Sequence, residues 1–169
     1  MILSHDVILA EIESGNIAID PYDETAVGPA SVDLRLGGEL RILENSGGAI
    51  EIREEVDARD HSRLVALDDG YELVPGQTVL GITRVRIKLG TGISARLEGR
   101  SRFARLGLLV HVSAGFVSPG IDNRQVLEIS NLAARPLVLV AGTRICQMIF
   151  ERTEGSALYQ GRFAGQDKL

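Results

Sequence analysis

The chain has 169 residues and a formal net charge of −5; 44% of its residues are apolar, 4% are aromatic, and none is Trp. That length suits one domain with a sizeable core, built here of Val, Ile, Leu and Ala, and the 19 glycines favour a turn-rich β architecture over a helical bundle. The acidic balance excludes a protein that coats nucleic acid, which needs a basic face. It leaves room for one small phosphorylated ligand at a locally cationic spot.

In chain order, Ser4 to Glu13 reads as a short helix, with Ser4 as cap, Asp6 in the first turn, and Ile8 and Ile12 on one face. Ile17 to Ile19 reads as a strand ended by Asp20-Pro21, and Asp23 to Pro29 as a polar loop. Ala30 to Leu36 alternates, with Val32, Leu34 and Leu36 on one face and Ser31, Asp33 and Arg35 on the other. Gly37-Gly38 is expected to turn the chain before a strand over Glu39 to Leu43. The polar, acidic stretch 44–70 reads as an exposed excursion. Strands are then expected at Tyr71 to Val74, at Thr78 to Leu89 (one long strand or a broken one) and at Ile93 to Leu97. A short helix over Ser101 to Leu106 precedes strands at Leu108 to Ser113, Gln125 to Asn131, Leu137 to Val140 and Arg144 to Glu151, with Pro119-Gly120, Arg135-Pro136 and Ala141-Gly142 as punctuation. The reading is mainly β, a barrel or jelly-roll-like body in a single domain over 1–169.

Two features carry chemistry. The first is Gly99-Arg100-Ser101-Arg102-Phe103-Ala104-Arg105-Leu106-Gly107. With Ser101 as a helix cap, free N–H groups and the helix dipole would join the arginines around a phosphate. An ordinary solvated turn fits the same residues. The second is Glu128, set among Val126, Leu127 and Ile129. It either faces water from a strand or is half-buried with a raised pKa, ready to shuttle a proton. The small residues of Ser113 to Gly120 allow close backbone approach to a ligand or simply make a tight connection. The tail from Tyr159 to Leu169 is either a frayed end or a lid that orders over a ligand. Cys146 is the single cysteine, which excludes an internal disulfide and a cysteine-based zinc site, and His5, His61 and His111 show no ligand spacing. Met1 to Asp6 lacks the parts of a signal peptide, and no apolar run approaches membrane-spanning length, so a cytoplasmic protein with neither membrane nor nucleic acid as partner is expected.

Taken together these pieces resemble the dCTP deaminase family of the dUTPase-like superfamily. The resemblance rests on Met1-Ile2-Leu3-Ser4, Pro29 to Gly37, Gly99-Arg100-Ser101 with Ala104 to Leu108, Ala114-Gly115-Phe116, Val126-Leu127-Glu128, Arg144 to Gln147 and Tyr159-Gln160-Gly161, all in the family's order. It implies a β-clip barrel (a distorted jelly roll) with a few short helices, and a lid at 155–169. It further implies a homotrimer with sites between subunits, and Mg²⁺ carried on the nucleotide phosphates. The implied reaction is hydrolytic deamination of dCTP to dUTP and ammonia without zinc; the His-x-Glu and Pro-Cys-x-x-Cys pattern of zinc deaminases is absent.

By matching position, the resemblance makes Glu128 the general base and acid, with Ser101 and the Ala114 carbonyl positioning the water and Arg105 stabilising the charged site. Arg100, Arg102, Phe103 and Ala104 belong to the phosphate turn, Val126 and Leu127 lie against the nucleoside, and Gln147 reads the base or phosphate side. Tyr159, Arg162 (where the family usually has Lys) and Gln166 close from the tail. Arg102 stands where Ser is common. Ser118 stands where Asp is usual, near the deoxyribose 3′-hydroxyl. Gly115 matches relatives that go on to dUMP, while those that stop at dUTP tend to have His there. The leading expectation is a dCTP deaminase. The alternatives are a bifunctional enzyme forming dUMP, a dUTPase alone, or a nucleotide-binding paralogue without turnover; dCTP, dUTP and dTTP are the implied ligands.

Overall fold

The structure, a computed structural model, describes residues 1–44, 47–111 and 113–169. Helix α1 (His5–Glu13) starts after Ser4, which has the extended backbone of an N-cap but makes no side-chain capping bond. Ile8 is fully buried beneath it. Glu11, also buried, accepts a 2.9 Å bond from Asn16 Nδ2 and pairs with Arg152, tying the helix to the far end of the chain. β1 (Ile17–Asp20) follows.

β2 (Val32–Leu43) corrects the expected turn at Gly37-Gly38, because the strand runs through both residues. Gly37 serves close packing: a Cβ there would stand 2.9 Å from the Ile82 carbonyl oxygen and 3.2 Å from Arg124 Nη2. The ladder to the adjacent strand shifts register between Leu36 and Leu40, so the glycine pair marks an irregularity inside a strand rather than a reversal. A second correction concerns the stretch 44–70. Much of it is exposed, but it holds a 3₁₀ turn at Ala58–His61 and β3 (Ser62–Ala66), which pairs antiparallel with residues 39–43 of β2. β3 has no fully buried residue, which is why its alternation is weak in the sequence. Asn45 and Ser46 of this stretch lie outside the described residues.

β4 (Tyr71–Leu73), β5 (Thr78–Thr83), β6 (Arg86–Leu89) and β7 (Ile93–Gly99) follow, the expected long strand being broken at Arg84-Val85. After the single turn of α2 (Ser101–Ala104) come β8 (Leu108–Val110), β9 (Phe116–Val117), β10 (Asp122–Asn123), β11 (Val126–Asn131), β12 (Leu137–Leu139) and β13 (Arg144–Arg152). β9 and β10 are too short to leave a sequence signal. Val112, inside the strand expected through Ser113, lies outside the described residues.

The main sheet runs β8-β11-β5-β2-β13-β7-β9 with β3 added on β2, and curls into a half-barrel; β1-β6-β10 and β4-β12 form two smaller sheets. The mainly β reading therefore holds. Leu34, Leu36 and Leu40 of β2, Leu127 and Ile129 of β11, and Cys146, Met148 and Phe150 of β13 point into one aliphatic core. Phe150 is the one buried aromatic side chain among the described residues. No helix among them is long and apolar enough to cross a membrane.

Candidate active site

β11 sorts its residues by the period of two. Leu127 and Ile129 are buried in the core, and Val126 and Glu128 are half-exposed on the opposite face. The Leu127 side chain is thereby turned away from Glu128, leaving its backbone for any ligand on that face. The register that joins β11 to β8 brings His111 alongside, and its backbone N–H donates to the Glu128 carbonyl at 2.7 Å. His111 Nδ1 lies 2.8 Å from Glu128 Oε2, bent away from hydrogen-bond alignment, so the contact is one of proximity more than direction. His111 Nε2 lies 3.0 Å from the Ala114 carbonyl oxygen. The residue reaches this position with φ 57°, a left-handed conformation that His tolerates better than a β-branched residue.

The raised pKa that the half-buried alternative for Glu128 carries is not found. Burial pushes its carboxyl upward, but the His111 imidazole, a backbone N–H and the Ser113 hydroxyl together outweigh burial and hold it below the usual glutamate value. At neutral pH Glu128 is a carboxylate, able to accept a proton.

Glu128 lies on the wall of a cavity of about 890 Å³, a size suited to a small-molecule ligand. Ala114, Ser118, Val126, Tyr159, Arg162 and Gln166 line the same cavity, so seven of the residues singled out from the sequence converge there. The tail is tied down along its length. Tyr159 N donates to Pro119 O at 3.0 Å, Asn123 Nδ2 to Phe163 O at 2.7 Å, and Arg124 N to Gln166 O at 2.8 Å. Arg162 reaches Asp57 at 2.5 Å. His111, Asp57, Arg59, Arg41 and Arg124 also line the cavity, and the sequence reading passed over all five. None carries a spacing motif, and each arrives by strand register or loop placement.

The arginine turn is elsewhere. None of Arg100, Ser101, Arg102, Phe103, Ala104, Arg105 or Gln147 lines the cavity. Arg100, not Ser101, takes the N-cap position of α2, and no side chain caps it. The Arg100 guanidinium is turned inward, 2.8 Å from Asp33 and donating to the Arg144 carbonyl at 2.9 Å. Ser101, Arg102, Ala104 and Arg105 are exposed, while Phe103 packs against the core. Gln147 accepts from Ser31 Oγ at 2.9 Å and donates to Gly99 O at 3.2 Å, bracing the strand end from which the turn springs. The sequence-predicted site is thus two groups on one chain: a carboxylate cavity roofed by the tail, and a cationic turn outside it.

The fold is that of a curled, mainly β half-barrel with Glu128 on the wall of a cavity. The dCTP deaminase-like family matches residues 2–153, and the chain belongs to it. A protein of Beutenbergia cavernae named "dCTP deaminase, dUMP-forming" is 42% identical over 98% of this chain and 91% of its own length. One of the same name from Parafrankia sp. is 41% identical over 98% of this chain and 87% of its own. Among solved structures, the 2′-deoxycytidine 5′-triphosphate deaminase of Agrobacterium tumefaciens superposes with a TM-score of 0.70 at 25% identity, covering 90% of this chain. This chain spans 48% of that one.

Proposed function

We propose that the protein carries out two hydrolyses in succession: dCTP and water give dUTP and ammonia, then dUTP and water give dUMP and pyrophosphate. The observation that carries this reading is Glu128, 2.8 Å from His111, on the wall of a cavity of nucleotide size. Glu128 takes a proton from water as the hydroxyl adds to cytosine C4 and gives it to ring N3; it then carries the proton of the C4 hydroxyl to the amine, so that C4=O forms as the C4–N bond breaks and ammonia leaves. The first expectation, dUTP as the end product, gives way to dUMP formation because of the relatives' names and Gly115. A Cβ at Gly115 would stand 3.0 Å from the Leu97 carbonyl oxygen, so a larger residue there demands a backbone shift.

Ser101 and Arg105 belong to this chemistry only if a second copy brings its α2 turn to the cavity, and their exposure outside the cavity of their own chain supports a shared site in a homotrimer. The Ala114 carbonyl and Ser101 would position the water. The tail residues Tyr159, Arg162 and Gln166 would act as a lid on the triphosphate. Among the described residues no three His, Cys, Asp or Glu side chains gather as a metal site. As the resemblance implies, Mg²⁺ would be held by the phosphates and would neutralise their charge.

The test is incubation with dCTP and Mg²⁺ followed by separate measurement of ammonia, dUTP, dUMP and pyrophosphate. Ammonia with dUMP and pyrophosphate is expected. Glu128→Gln is expected to bind dCTP and release no ammonia, and ammonia release at the wild-type rate from that variant would remove Glu128 from its role. One observation favours a second reading. Ser118 lines the cavity where the resemblance expects a carboxylate, and a serine cannot serve as a carboxylate base. A product mixture stopping at dUTP would support that reading.

A further inference from the structure

The cavity carries a charge balance opposite to that of the whole chain. Arg41, Arg59, Arg124, Arg162 and Lys168 line it. Three side-chain carboxylates among the described residues, those of Asp57, Glu128 and Asp167, line it with them, and so does Leu169, whose terminal oxygen accepts from Arg41 Nη2 at 3.4 Å. Asp167 is drawn to Arg86, 3.1 Å away and outside the lining, and Glu128 faces His111. Among the described residues, Asp57 is left as the one side-chain carboxylate in direct contact with the lining arginines.

Asp57 holds two guanidinium groups at once. Its Oδ2 is 2.6 Å from Arg59 Nη2 and 2.5 Å from Arg162 Nη2. Arg59 Nε adds bonds to both carboxylate oxygens at 3.1 Å. Arg162 also donates to Val56 O at 3.3 Å, and its guanidinium stands 5.8 Å from the centroid of the Phe163 ring. The carboxylate is mostly enclosed, 19% exposed, whereas Arg59 and Arg162 are 62% and 46% exposed. Two cations around one monovalent anion remain under-neutralised, and Arg41 on the same wall has a buried Nε with no partner among the described residues. A phosphate group carries more charge than a carboxylate and offers more acceptor oxygens to planar guanidinium forks.

We propose that Arg59 and Arg162 together form a receiver for the ligand's phosphate chain, and that Asp57 is a built-in placeholder which occupies it until a phosphate displaces it. The proposal rests on the reading of this cavity as a nucleoside triphosphate site, and it adds Arg59 and Asp57 to that site. Arg59 is a binding residue. Asp57 is a competitor that sets affinity and tethers the tail to the 56–59 loop when no ligand is present.

The test is calorimetric titration of the full chain with inorganic tripolyphosphate, a probe that needs no turnover. Asp57→Asn removes the competing charge and keeps the side chain's shape, and is expected to tighten binding about tenfold, equivalent to about 1.4 kcal/mol. Arg59→Gln is expected to weaken it by a similar factor. Unchanged or weaker binding by Asp57→Asn overturns the placeholder, because a purely structural Asp57 would loosen the site when removed. Unchanged binding by Arg59→Gln overturns the receiver, and that variant alters an exposed side chain, so it reports even if Asp57→Asn does not fold. A chain that turns over no dCTP yet shows both shifts keeps this inference and loses the enzymatic one. A chain that deaminates dCTP while both variants bind tripolyphosphate like wild type does the reverse.

Discussion

At Glu128 and Cys146 burial pushes both side chains towards their neutral forms, and only at Glu128 do neighbouring groups reverse it. Burial pushes the Glu128 carboxyl up, but His111, a backbone N–H and the Ser113 hydroxyl together keep it below its usual value of 4.5. A lowered pKa means that the basic form persists as pH falls, and is lost only when pH drops through that lowered value. The acid limb of kcat/KM for dCTP is therefore expected below pH 4.5, measured over a range where the fold is intact. A limb at about 6, the region of carboxyls raised by burial, would mean that the His111 contact is absent from the working enzyme. Cys146 is fully buried on β13, and burial pushes its thiol up to about 12. It is expected not to react with an aromatic disulfide reagent in the native protein and to react fully once unfolded; rapid native labelling would contradict its place in the core.

The strands carry these residues, and their register decides what meets what. β2 is the central example. Its first half pairs with β13 and its second half with both β5 and β3. Gly37, which reads as part of a turn, lies where the strand changes partners, and it admits the Ile82 carbonyl oxygen at a distance no Cβ allows and the Arg124 guanidinium at one that is tight for a Cβ. Gly37→Ala is expected to destabilise the fold by about 1–3 kcal/mol through overpacking, read as a lower urea midpoint at unchanged slope. The same change should disturb the cavity through Arg124. A variant as stable as wild type would show that the strand relaxes around the added methyl group. Elsewhere the alternation was legible: Val32, Leu34 and Leu36 are buried as their spacing predicts, and so are Leu127 and Ile129. The weak points were the elements with least burial, β3 with its exposed residues and the two-residue β9 and β10, where little apolar contrast exists to be read.

The molecule as a whole separates the two halves of the proposed site. Glu128 and the tail share one cavity, while α2 presents Ser101 and Arg105 outward from another part of the surface. A site completed by a second copy makes a definite prediction. Arg105→Ala and Glu128→Gln should each be inactive alone, and co-expressed chains should regain ammonia release, because mixed assemblies contain sites with an intact Glu128 from one variant and an intact Arg105 from the other. No recovery in mixed assemblies, verified by mass, would confine the chemistry to single chains. The order of the motifs along the sequence and the aliphatic strand pattern were enough to indicate the family and a mainly β fold, because these depend on residue type and local periodicity. Which arginines face the carboxylate, that His111 rather than Arg105 touches it within one chain, and that Asp57 reaches across to Arg162 depend on strand register and loop closure. Those are long-range contacts, set when the sheet curls and the tail folds back, and local patterning holds no record of them.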